Sequence, residues 1–228
     1  MPSHPVLRTR IKFCGLVRPD DVDTAVTLGV DAVGFVFYPR SPRAVTLDDA
    51  RLLRRRLPSW VAAVGLFVDA QPVAVTSAVA HVGLDVVQFH GNESPATCRA
   101  SRPENTPWWR AVRMRGPDDL LESTRSFGDA EAFLVDSFSD SFGGTGKRFD
   151  WSWIGAGRPD RLILSGGLDD ASVGQAIERI APAMVDVSSG IQGLDPRTKD
   201  PGRMARFVAA VLRADARRTP EPPTGPLA

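Results

Sequence analysis

RLILSGG at residues 161–167 and MVDVSSG at residues 184–190 follow one plan: a short apolar run that stops at a serine–glycine turn. Apolar runs of this length, without polar alternation, read as strands covered on both faces, as in a parallel sheet. In the turns that follow, glycines let backbone N–H groups come close to an anion, and serine hydroxyls add donors. The plain alternative is a pair of tight turns, where glycine is common for its own conformational reasons.

Six more runs lie upstream: RIKFC (10–14), DAVGFVF (31–37), VAAVGLFV (61–68), LDVVQF (84–89), PWWRAVR (107–113) and EAFLVD (131–136). Amphipathic stretches separate them. Their starts are marked by Pro19-Asp20-Asp21, Thr46 before Leu47-Asp48-Asp49, Asp69 with Gln71-Pro72, Asp169-Asp170, and Asp200-Pro201. Strands alternating with helices argue for βαβ units and a parallel sheet. Eight right-handed crossovers close such a sheet into a single-domain α/β fold, the (β/α)8 TIM barrel. A six-stranded doubly wound sheet would need G-x-G-x-x-G after its first strand, and the chain has Cys14-Gly15-Leu16 there. Nothing divides residues 10–214, which are expected to form the one domain. Residues 1–9 and the proline-rich 215–228 are read as tails that cannot bury enough surface to order themselves.

The chain's 228 residues suffice for such a barrel, which can be built from ~200. The formal net charge of +1 argues for neither nucleic acid nor a membrane surface as partner. Two cysteines, Cys14 and Cys98, make no disulfide framework or metal motif, and the three histidines do not pair as ligands. MPSHPVLRTR has basic residues but no apolar stretch long enough for a secretory signal, so none is expected, and no apolar run nears the ~20 residues of a membrane span. A soluble protein of a reducing compartment is expected.

In a TIM barrel the chemistry sits at the C-terminal ends of the strands. That places Cys14, His90, Arg113, Asp136, Ser165-Gly166-Gly167 and Ser188-Ser189-Gly190 at one mouth. This fold often binds phosphate with the loops after its seventh and eighth strands, where both serine–glycine turns fall. The loop GGTGKRFDW (143–151) resembles a phosphate-binding P-loop but has Ser141 and Arg148 where that motif needs Gly and Ser or Thr. It is read instead as a loop that moves over the substrate. Taken singly, Cys14 could be a buried hydrophobe, Asp136 a loop cap and Arg43 a solvated charge. Lys12 points away from the residues flanking it and is not taken as the neighbour that tunes Cys14.

Eight motifs in order carry a resemblance: KFCG (12–15), DAVGFVFYPRSPR (31–43), VGLFV (64–68), VQFHGNE (87–93), LVDS (134–137), GGTGKRFDW (143–151), LSGGL (164–168) and VDVSSGI (185–191). On these the chain resembles the phosphoribosylanthranilate isomerases of tryptophan biosynthesis, over about residues 10–213. The resemblance implies Cys14 as general base and Asp136 as general acid. It implies Arg43 against the anthranilate part, and His90 and Asp186 lining the substrate site. Phosphate would be held around Gly166, Gly167, Ser188, Ser189 and Gly190. The implied reaction is an Amadori rearrangement of a small-molecule substrate in which the protonated imine is the electron sink, so the resemblance implies a cytoplasmic enzyme that requires no metal or organic cofactor. Relatives include monomers and homodimers.

Two other readings stand beside it. One is a phosphosugar isomerase of broadened range, which the resemblance associates with Asp rather than Cys at the first strand end. The other is a non-catalytic barrel that only binds. The chain departs from the family pattern at Gln192, where Glu is usual, and in the bulk of Trp108-Trp109.

Overall fold

The computed structural model describes residues 8–138, 148–155 and 157–218. All eight expected strands form: β1 Arg10–Cys14, β2 Ala32–Val36, β3 Ala62–Phe67, β4 Val86–Phe89, β5 Trp108–Met114, β6 Ala132–Ser137, β7 Leu162–Leu164 and β8 Met184–Val187. They pair in parallel and in chain order, and β8 closes on β1 with Arg10 opposite Met184 through Phe13 opposite Val187. Among the described residues seven α-helices cover the barrel: α1 Pro19–Thr27, α2 Leu47–Arg54, α3 Pro72–Ala78, α4 Pro95–Ala100, α5 Asp119–Ser126, α6 Val173–Ile180 and α7 Pro201–Arg217. Between β6 and β7 the described residues contain only a 3-10 turn, Trp151–Trp153. Most of the GGTGKRFDW loop lies outside the described residues.

Alternation along each strand divides the core in two. One face of each strand, carrying Phe13, Phe35, Phe67, Phe89, Leu164 and others, packs against the helices. The opposite face points into the barrel. Its lower part is filled by Ala32, Val64, Val86, Trp109, Ala111, Ala132, Leu134, Ile163 and Met184. This accounts for the unexpected bulk of β5. Trp109 fills a barrel floor lined largely by alanines and valines. Trp108, pointing outward, packs edge-on against Phe89 and Phe127.

Helix starts mostly follow their sequence signals. Thr46 caps α2 by accepting the Asp49 N–H at 3.1 Å, and Asp200 caps α7 through the Arg203 N–H at 2.7 Å. The helix after β7 starts later than Asp169-Asp170. Asp169 and Ser172 exchange hydrogen bonds of 2.9 and 3.0 Å, holding 169–172 as a turn, and α6 opens at Val173. Ordered structure also reaches into both expected tails. Helix α7 continues to Arg217, and Asp215 accepts two 2.7 Å hydrogen bonds from the Thr9 backbone and hydroxyl. That clasp recruits one residue from each segment assigned to a tail, because a carboxylate can satisfy two donors that would otherwise end a strand unpaired.

Truncating the floor tests this packing. Trp109→Ala is expected to cost ~3–5 kcal/mol of unfolding free energy in equilibrium denaturation. A loss below ~1 kcal/mol would show that Trp109 does not fill the barrel interior.

Candidate active site

Above the apolar floor the inward-facing positions turn polar. Lys12 and Cys14 on β1 are two residues apart and so share the inner face. Contrary to the expectation from its direction, Lys12 is the neighbour of Cys14, because pointing away from Ile11 and Phe13 is what directs it toward the same inner face. Lys12 is fully buried and its Nζ lies 2.7 Å from Asp186 Oδ1 on β8. Its ammonium and the Cys14 sulfur both lie against Gly34, and each favours the other's charged form. The pair has room because Gly34 stands opposite Cys14 on β2, where a Cβ would lie 2.8 Å from Cys14 Sγ and 3.2 Å from Lys12 Nζ.

Burial disfavours the charge on Lys12, but Asp186 and Cys14 outweigh it and Lys12 sits above the usual lysine range. Burial pushes the Cys14 thiol up, while the Lys12 ammonium pulls it down. The balance leaves Cys14 above the ordinary thiol value, with Lys12 its main opposing influence. Asp186 is steadied from the other side by the Ser165 hydroxyl, which donates to its Oδ2 at 3.1 Å.

Asp136, next to last in β6, lies on the same inner face. Its Oδ1 accepts the Ser137 N–H at 2.7 Å, and its Oδ2 lies 3.4 Å from His90 Nε2. Gln88 fixes the other side of that ring, its amide nitrogen 3.1 Å from His90 Nδ1. With the amide donating, Nδ1 is the acceptor and the Nε2 proton faces the carboxylate. Next to this acid candidate lies Gly166, whose φ of 86° favours glycine. A Cβ there would approach Asp136 Oδ1 to 3.0 Å and Ser137 Oγ to 2.5 Å.

The two serine–glycine turns come together at the ends of β7 and β8. Gly190 packs so closely that a Cβ would sit 2.0 Å from the Leu168 carbonyl oxygen. Gly167 is also left-handed, at φ 63°, and Ser189–Ile191 form a 3-10 turn. Arg43 reaches this cluster from the β2–α2 loop, its side chain over Gly15. It donates to Gln192 Oε1, and Arg43 Nε is buried without a partner. Because Gln192 is neutral, this contact leaves the guanidinium charge uncompensated.

Sequence reasoning missed one residue here. Lys199 is 4 % exposed, and its Nζ donates to the Ser188 carbonyl at 2.9 Å and lies 3.3 Å from the Ser188 hydroxyl. In the sequence it is a charge in a polar loop just before a helix cap, with nothing to set it apart. Among the described residues no group of three or more His, Cys, Asp or Glu side chains could hold a metal ion. No helix there is long and apolar enough to cross a membrane.

The site is thus a polar layer on the barrel floor, flanked by Cys14 and Asp136, with the serine–glycine turns between them. Residues 11–210 match the family model for N-(5'-phosphoribosyl)anthranilate (PRA) isomerase. The chain belongs to this isomerase family. Two curated relatives, both named N-(5'-phosphoribosyl)anthranilate isomerase, are those of Methylibium petroleiphilum and Leptothrix cholodnii. The first is 48 % identical over 92 % of this chain and 97 % of its own, the second 50 % over 92 % and 94 %. The crystal structure of phosphoribosyl anthranilate isomerase from Thermotoga maritima is 36 % identical, covers 90 % of this chain and 99 % of its own, and superposes with a TM-score of 0.83. A further crystal structure, of phosphoribosyl anthranilate isomerase in complex with reduced 1-(o-carboxyphenylamino)-1-deoxyribulose 5-phosphate, gives 34 % identity, the same coverages and a TM-score of 0.80.

Replacing Lys12 tests its hold on Cys14. Lys12→Met removes the main influence lowering the thiol pKa, so alkylation of Cys14 by iodoacetamide should set in at higher pH than in wild type. Cys98 does not interfere, being fully buried and pushed up to about 12. An unchanged alkylation profile would reject Lys12 as the tuning group. The same substitution strands Asp186 and should cost ~3–5 kcal/mol of stability.

Proposed function

We propose that this isomerase rearranges N-(5'-phosphoribosyl)anthranilate to 1-(2-carboxyphenylamino)-1-deoxyribulose 5-phosphate, with Cys14 as general base and Asp136 as general acid. One observation carries the reading. Around the barrel, β7 and β8 lie between β6 and β1, so the serine–glycine turns are flanked by Asp136 on one side and Cys14 on the other. A phosphosugar anchored at those turns presents its ring to both groups.

Asp136 protonates the furanose ring oxygen, and the ring opens to a protonated imine. Cys14, through the thiolate fraction that the Lys12 ammonium favours against burial, takes the proton from C2', and the released electron pair moves toward the imine nitrogen. The resulting enolamine tautomerises to the ketone. Each positioned acid or base contributes ~10²–10⁴-fold. Phosphate is held by the backbone around Gly166, Gly167, Ser188, Ser189 and Gly190. Arg43 faces the anthranilate carboxylate with its uncompensated charge, and His90 and Asp186 line the ribose.

Family membership supports this reading, as do the names of the relatives. So does the related structure solved with a ligand that differs from the proposed product by reduction. It implies a small-molecule substrate and a cytoplasmic setting in tryptophan biosynthesis.

Purified protein is expected to consume phosphoribosylanthranilate, read as loss of anthranilate fluorescence. No turnover at micromolar enzyme would overturn the assignment. Cys14→Ser and Asp136→Asn should each lower kcat by ~10²–10⁴-fold with a smaller change in KM. Near wild-type kcat in either would remove that residue from the mechanism.

A further inference from the structure

Two lysines are buried at this mouth, and they differ in their partners. Lys12 faces the carboxylate of Asp186 at 2.7 Å. Lys199 faces only neutral oxygens, the carbonyl and hydroxyl of Ser188, and makes no ion pair among the described residues. An ammonium in so dry a place is costly without a compensating anion. The chain nonetheless takes some trouble to put it there. After Ser189–Ile191 the backbone runs out and returns, with Gly193 N–H donating to the Thr198 carbonyl and Asp200 N–H to the Ile191 carbonyl, both at 2.9 Å. This return brings Lys199 back beneath Ser188. Arg197, on the same excursion, donates to the carbonyls of Pro42 and Ala44 on either side of Arg43.

We propose that Lys199 is a positioning residue for the substrate's phosphate: it pins the Ser188 end of the β8 turn and supplies, from behind that turn, a positive charge that the phosphate dianion retains, so that binding takes up a proton. The proposal rests on the phosphate cradle described above.

Burial, and secondarily Arg43, hold Lys199 down to about 7. Both protonation states can keep the two contacts to Ser188, since a neutral amine still has two N–H donors. What changes across neutrality is therefore the charge behind the turn and not the turn's shape. The charged and titratable groups around Lys199 come from every neighbouring element. Asp21 on α1, itself beside Arg18 and Asp20, accepts the Lys199 backbone N–H at 3.2 Å. Cys14 and Lys12 lie on β1, Arg43 on the β2–α2 loop and Asp186 on β8. Between pH 7 and 8.5 Arg43 stays charged, and both Cys14 and Lys12 sit above their ordinary values of 9.0 and 10.5, beyond this range.

The sign follows. A dianion that binds the ammonium form loses affinity as pH rises through the free-enzyme value of Lys199, with a limiting slope of one proton. The test is the inhibition constant of sulfate against turnover from pH 7 to 8.5, for wild type, Lys199→Arg and Lys199→Met. Sulfate keeps both charges throughout this range. Wild-type inhibition should weaken roughly tenfold across it. Lys199→Arg should be independent of pH, because guanidinium stays charged. Lys199→Met should also be independent of pH, at the weak alkaline value, with KM for substrate raised more than kcat is lowered. A flat wild-type profile, or a slope that survives in Lys199→Met, would overturn the proposal. If one variant fails to fold, the wild-type slope and the other variant still decide. Sulfate that does not compete with substrate at any pH would refute the cradle itself, whereas competition without a slope would refute Lys199 alone.

Discussion

The salt bridge between Lys12 and Asp186 spans the seam where the barrel closes. The two residues are direct partners in the β1–β8 register, so the ion pair and the last strand pairing of the sheet require each other. Slipping either strand by one residue would turn its polar groups outward into the apolar layer beneath the helices. Removing one partner would leave a charge stranded in a medium that cannot solvate it. Closure of the fold and the electrostatics of the site are for this reason one constraint. Asp186 keeps Lys12 charged, and Lys12 opposes the burial that raises Cys14.

The rest of the mouth is built on that base. Below it, aromatic and aliphatic side chains fill the barrel. Above it, each strand end adds a polar group already held by its neighbours: Asp136 by Ser137 and His90, His90 by Gln88, Asp186 by Ser165. Such partners hold the side chains in place before any substrate arrives, which is the condition for positioned acid–base chemistry. The chain accepts buried charges here, where hydrophobic replacements would cost less, because an apolar site could neither bind a phosphosugar nor move protons.

Much of this was legible in the sequence. Strands covered on both faces are mostly apolar runs, so RLILS and MVDV stand out despite Asp186, and the glycines and serines after them carry their meaning in their position. What escaped was what depends on direction and on return paths. Lys12 was set aside although two-residue spacing puts it on the face of Cys14. Lys199 was missed because an excursion of polar residues separates it from Ser188, and no local pattern records that the chain comes back. The start of α6 was misplaced because Asp169 looked like a cap when its hydrogen bonds with Ser172 form a turn ahead of the helix. The bulk of Trp109 is plain in the sequence, but only the small residues that share the barrel floor with it, Ala32, Ala111 and Ala132 among them, explain it.

That tryptophan floor has a kinetic meaning. A barrel stoppered at one end is a blind well, and everything that enters must leave by the same opening. Substrate and product therefore cannot occupy it together, and product inhibition of such an enzyme is competitive by construction. The pathway downstream, by draining product, keeps the well open.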